Sequence, residues 1–84
     1  MISLAQAYFD NKDYQKAVDT SREILQINPD YSVAYRILGK ALVKTEELTD
    51  AIKTYKKGIV VAGKNGDLQV AKEMTVFLGR LEKN

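Results

Sequence analysis

The chain of 84 residues has no cysteine, histidine or tryptophan, and only one proline. Without thiols or imidazoles it can form no disulfide, no Ser-His or Cys-His nucleophile pair, no haem ligand and no zinc site of the usual donors. No Gly-rich phosphate loop or calcium loop is present. Carboxylate pairs such as Asp10 and Asp13, or Glu46 and Glu47, fall at expected helix ends, where capping and the helix macrodipole explain them. No enzymatic activity, metal or cofactor is therefore expected. No apolar run approaches the roughly 20 residues of a membrane span. The N-terminus, with Asp10 and Asp13 and no basic leader, does not read as a signal peptide, so a cytoplasmic protein is the expectation.

What the chain does contain is 45% hydrophobic and 29% charged residues, enough for one small folded domain over residues 1–84. Apolar residues recur at helical spacing throughout and nowhere alternate as in a strand, which makes the protein all-α. Five helices are predicted, at about 2 to 11, 14 to 28, 32 to 45, 48 to 65 and 67 to 82. Asp13 is suited to cap the second, and Pro29 ends it by forcing Asn28 out of helical geometry. Asp30 or Ser32 is then expected to cap the third. Gly63 and Gly66 bracket the next turn, and Asn65-Gly66-Asp67 reads as a left-handed stop followed by a new cap. Connections this short make successive helices antiparallel neighbours.

Sliding the chain by 34 residues lays Leu4 on Leu38, Ala5 on Gly39, Ala7 on Ala41, Ala17 on Ala51, Val18 on Ile52 and Leu25 on Ile59. One helical hairpin is used twice, which is the mark of a repeat architecture. Tyr35, Leu38, Gly39, Ala51, Tyr55 and Gly58, and in the first copy Leu4, Ala5, Tyr8, Ala17 and Pro29, give a pattern that resembles the tetratricopeptide repeat. Ile24 and Ser21 depart from it, standing where the family has a small residue and an aromatic. The resemblance implies a short stack of antiparallel hairpins, with repeat one at 1–31, repeat two at 32–65 and a capping helix at 66–84. That last segment leaves the register but carries an apolar stripe of Val70, Ala71, Met74, Phe77, Leu78 and Leu81. One continuous core is expected from Leu4, Tyr8, Ala17, Leu25, Leu38, Leu42, Ala51, Tyr55, Ile59, Met74 and Leu78.

Basic charge is concentrated in the second repeat: seven Lys and Arg against three acids over 32–65, but three against five over 1–31. At about 100° per residue, Arg36, Lys40 and Lys44 turn away from Leu38 together with Val33 and Val43. In the resembling family the first helix of each hairpin lines a concave surface, which makes Gln6, Phe9, Val33, Arg36, Lys40, Val43, Lys44 and Lys72 the candidate peptide groove. The implied function is a non-catalytic protein-interaction module holding a peptide or protein segment, with acidic groups read by the cations. The family's two-carboxylate clamp is disfavoured by Ile2, Gln6 and Ile37 at positions where it needs Lys or Asn. The alternative is an assembly subunit, a homodimer through an apolar edge at Ile2 and Phe9. Nucleic acid is disfavoured by a net charge of only +2, and no membrane role is expected.

Overall fold

The computed structural model describes residues 3–83. Over that span five helices follow one another: α1 (Leu4–Asp10), α2 (Tyr14–Ile27), α3 (Ser32–Lys44), α4 (Leu48–Asn65) and α5 (Leu68–Glu82). Their ends depart from the predicted ones by at most two residues, and those of α4 coincide with them. Ser3 caps α1 by accepting the Gln6 N–H at 3.2 Å, and Asp13 caps α2 by accepting the Lys16 N–H at 3.4 Å. The expected cap of α3 is not made. Tyr31 stands at the N-cap without a side-chain bond, and the Ser32 hydroxyl instead donates to the Asp67 carboxylate at 2.6 Å. Gly66, at φ 77°, supplies the left-handed residue that ends α4; Gly63 lies inside the helix rather than in the turn.

The 34-residue repetition extends to the backbone of the turns. Lys12 and Glu46 both adopt positive φ, at 63° and 64°. In the first turn the Asp13 N–H bonds the Tyr8 carbonyl at 2.9 Å, and in the second the Glu47 N–H bonds the Leu42 carbonyl at 2.8 Å. Each hairpin is thus closed by the same geometry, built on a side chain that is strained in the left-handed region.

Helix α3 is the centre of the packing. It contacts α1, α2, α4 and α5, and Ser32, Ala34, Tyr35, Ile37, Leu38, Gly39, Ala41 and Leu42 are all buried. Small residues allow the close crossings. A Cβ on Gly39 would run into the ring of Tyr55 from α4, and one on Gly58 would meet Tyr35 Cβ at 2.5 Å and Met74 Sδ at 2.7 Å. The apolar stripe of α5 packs where the periodicity places it, with Met74 fully buried and Val70, Ala71, Phe77, Leu78 and Leu81 partly so.

The core comes in two clusters rather than one. The first gathers Ala17, Val18, Leu38, Ala41, Leu42 and Ala51, the second Tyr35, Tyr55, Val61, Ala62 and Met74, and the half-buried Leu25, Val43 and Leu81 bridge them. Leu4 belongs to neither and is 60% exposed. Its counterpart Leu38 is covered because α2 of the preceding hairpin packs on α3; on the corresponding side of α1 no helix stands among the described residues.

Polar bonds tie the far end of the stack to the start of α3. Besides Ser32 and Asp67, the Asn65 amide donates to the Asp30 carbonyl at 2.6 Å and Arg36 Nη1 to the Glu73 carboxylate at 3.1 and 3.2 Å, while the Tyr35 hydroxyl holds the preceding loop by donating to the Pro29 carbonyl at 2.8 Å.

Candidate functional site

Because α2 and α4 reverse the chain, α1, α3 and α5 run side by side in the same direction, with α3 in the middle. Their C-terminal halves enclose a cavity of about 330 Å³ lined by Phe9 of α1, Lys40, Val43 and Lys44 of α3, Tyr55 of α4, and Phe77, Arg80 and Leu81 of α5. The floor is apolar and aromatic: Tyr55 packs on Phe77 at 5.9 Å between ring centroids, and Phe9 meets Tyr14 edge-on at 5.3 Å. Burial pushes the Tyr55 phenol far above its ordinary pKa, so it stays neutral across the physiological range. The rim is cationic, and no carboxylate is among the lining residues.

The cations of α3 are not equivalent. Arg36 is neutralised by Glu73 of α5 in a pair whose side chains are 24% and 33% exposed. One turn on, the Lys40 ammonium lies 4.8 Å from the centroid of Phe9 and 5.9 Å from that of Phe77, spanning from α1 to α5. Lys44 stands 6.0 Å from the ring of Tyr14. Among the described residues neither lysine has a carboxylate within ion-pair distance. Lys44 and Arg80 also occupy the last turns of their helices, where the partial negative charge of the carbonyl ends favours a cation.

Of the residues singled out from sequence, the structure brings Phe9, Lys40, Val43 and Lys44 together in this cavity. Arg36 is committed to its ion pair, the Gln6 amide donates to Asp10 at 2.8 Å, and Val33 is half-buried near the start of α3 without lining the cavity. Lys72 lies instead by a separate shallow depression with Leu68, Ala71, Thr75 and Val76. Ile2 falls outside the described residues. Phe9 is half-buried, against the first core cluster and beneath Lys40, rather than fully facing water. Tyr55, Phe77, Arg80 and Leu81 line the groove without having been expected there. Tyr55, Phe77 and Leu81 were legible only as core, and Arg80 sits on a helix outside the 34-residue register.

Residues 1–58 match the family model described as anaphase-promoting complex, cyclosome, subunit 3. Over 80 residues the chain is 34% identical to a TPR repeat-containing protein of Pseudomonas aeruginosa, an alignment covering 95% of this chain and 76% of that protein. The chain belongs to the tetratricopeptide repeat family. Solved structures agree: a tetratricopeptide repeat domain protein from Salinibacter ruber superposes with a TM-score of 0.86 at 30% identity, covering 95% of this chain and 81% of that one. A protein from Bordetella parapertussis gives a TM-score of 0.86 at 35% identity, covering 95% and 70%. Tetratricopeptide repeats are in general non-catalytic protein–protein interaction modules, and the cavity lies on the face made by the first helix of each hairpin together with α5. No helix among the described residues is long and apolar enough to cross a membrane.

Proposed function

We propose that the chain holds an acidic segment of a partner protein in the groove between α1, α3 and α5. The observation that carries this reading is the lining itself: Lys40 and Lys44, neither paired to a carboxylate among the described residues, stand beside an apolar floor of Phe9, Val43, Tyr55, Phe77 and Leu81. An apolar side chain of the ligand covers the floor while its carboxylates meet the lysines, whose present neighbours are aromatic rings rather than anions. The charge needed for recognition therefore sits in the C-terminal half of α3 and not at Arg36. Binding is weak and salt-sensitive, because the cavity is at the small end for a ligand site and its cations are reached by solvent. The matched family description names a subunit of a protein complex, which fits a partner that is itself a protein. A homodimer through Phe9 is the less supported alternative, since that ring is half-buried beside Lys40 and Tyr14 and lines the groove.

The test is fluorescence anisotropy with labelled acidic, neutral and basic peptides that share one leucine and one phenylalanine. Lys40→Gln combined with Lys44→Gln should remove binding of the acidic peptide while the far-UV circular dichroism stays unchanged. Equal affinity for all three peptides, or undiminished binding in the double variant, rejects the proposal.

A further inference from the structure

A second charged surface lies outside the groove. Lys53, Lys57, Val60 and Lys64 are exposed at i, i+4, i+7 and i+11 along α4, within one narrow stripe about 16 Å long. The opposite side of the helix is its core face, with Ala51, Tyr55, Gly58 and Ala62 buried, so the stripe points away from the groove that Tyr55 lines. The lysines bordering a carboxylate are elsewhere: Lys56, at the margin, pairs with Glu82 at 3.6 Å. Asp50, an acid of the first turn of α4, is taken by Arg22 of α2 at 3.9 Å. Among the described residues, Lys53, Lys57 and Lys64 have no ion-pair partner within 4.0 Å. Lys53 and Lys57, one turn apart on the same face, repel each other, a local cost that an anionic partner would reverse.

Beside this ridge a depression of about 270 Å³ opens between α2 and α4, with Arg22 and Lys57 on its rim and Leu25, Pro29 and Tyr35 among its lining. Gln26 completes the lining, so the depression offers a smaller apolar surface than the groove, again with cations at its edge. From these observations we infer that the outer face of α4 is a second docking surface, taking an acidic, unstructured protein segment whose carboxylates meet Lys53, Lys57 and Lys64 and whose apolar side chain enters the depression. Charge complementarity selects an anion. A protein segment is favoured over nucleic acid because Tyr35, the ring that lines the depression, is 4% exposed and offers no platform for stacking bases. The surface is independent of the groove reading, and the two together give a small module able to hold two acidic segments on opposite sides.

The experiment titrates a Glu-rich peptide carrying spaced leucines into isotopically labelled protein and follows amide shifts. Wild type and the Lys40→Gln/Lys44→Gln variant should both show shifts at residues 53, 57, 60 and 64 and at Arg22. In the Lys53→Gln/Lys57→Gln/Lys64→Gln variant the affinity read at those amides should fall about tenfold or more, since three exposed charge contacts are lost. All three lysines are solvent-exposed, so the variant folds, and its melting curve provides the check. Absence of shifts on α4 in wild type, or equal shifts with a Lys-rich peptide, overturns the inference. A stronger response to a single-stranded oligonucleotide than to the peptide also overturns it and assigns the ridge to nucleic acid. Because the groove variant is read separately, failure at the ridge leaves the groove proposal standing, and the reverse.

Discussion

The close crossing of α3 and α4 makes Gly39→Ala a severe change for a single methyl. The added carbon would lie 2.6 Å from Tyr55 Cζ and 2.7 Å from Cδ1, with Cε1 nearer still, whereas unstrained carbon contacts lie at about 3.5–4.0 Å. The ring cannot simply swing aside, being 1% exposed and held against Phe77. Relief by about 1 Å of movement in a packed interior costs roughly 1–3 kcal/mol. Alanine's higher helix propensity returns about 1 kcal/mol of that. Gly63→Ala isolates the second effect, because Gly63 is also helical and nothing lies within 4 Å of its missing Cβ. Gly63→Ala should therefore stabilise by up to about 1 kcal/mol, and the two variants should differ by about 1–3 kcal/mol. For a domain of this size that separates their melting temperatures by at least about 4 °C. Urea and thermal denaturation followed by circular dichroism measure it, with an unchanged m-value showing that the unfolded reference is the same. If both substitutions raise the melting temperature equally, the two helices do not cross as closely as described.

Met74→Ala should empty the pocket between Tyr35, Tyr55, Val61 and Ala62 and cost about 2–5 kcal/mol, a large part of the stability of a small domain; a loss under 1 kcal/mol in urea melts would show that α5 is not anchored there. Lys12→Gly and Glu46→Gly should each stabilise, by under about 1 kcal/mol, since glycine removes the left-handed strain but loses more entropy on folding. A lower melting temperature for both would contradict the turn geometry. Burial raises the pKa of Tyr55, and burial followed by the nearby Asp30 carboxylate raises that of Tyr35, from an ordinary 10.0. The unfolded chain thus releases these protons first, and stability that is complete below pH 10 should fall as pH rises above it. Tyr55→Phe should flatten that decline in pH-dependent melting curves, and an equal slope in the variant would deny Tyr55 its part.

Repetition made most of the architecture readable. A match such as Ala17 on Ala51 marks a helix crossing used twice, and both residues are fully buried. Local signals at Asp13 and Gly66 likewise announced a cap and a stop that the structure contains. Lys12 and Glu46 gave no such signal, since neither glycine nor asparagine marks their left-handed turns. The misplacement of Leu4 has a different origin: a helical wheel fixes directions around one axis but not which flank receives a neighbour. Charge pairing was hidden by distance along the chain. Arg36 and Glu73 are 37 residues apart, and only the return of α5 to α3 turns a stack of three repelling cations into one neutralised pair and two lysines over aromatic rings. The groove residues Phe77, Arg80 and Leu81 belong to that same returning helix, which the repeat register does not reach.

Recognition of an acidic segment by the inner face of the stack, through Lys40 and Lys44, is read out in side-chain resonances. Methyl and aromatic signals are followed while an acidic peptide with one aromatic residue is added to wild type and to Lys40→Gln/Lys44→Gln. Saturable shifts are expected at Phe9, Val43, Tyr55, Phe77 and Leu81 in wild type, with their loss in the double variant and their weakening as salt is raised. Unperturbed groove resonances at peptide concentrations that shift other surfaces, or groove shifts that persist in the double variant, would contradict it.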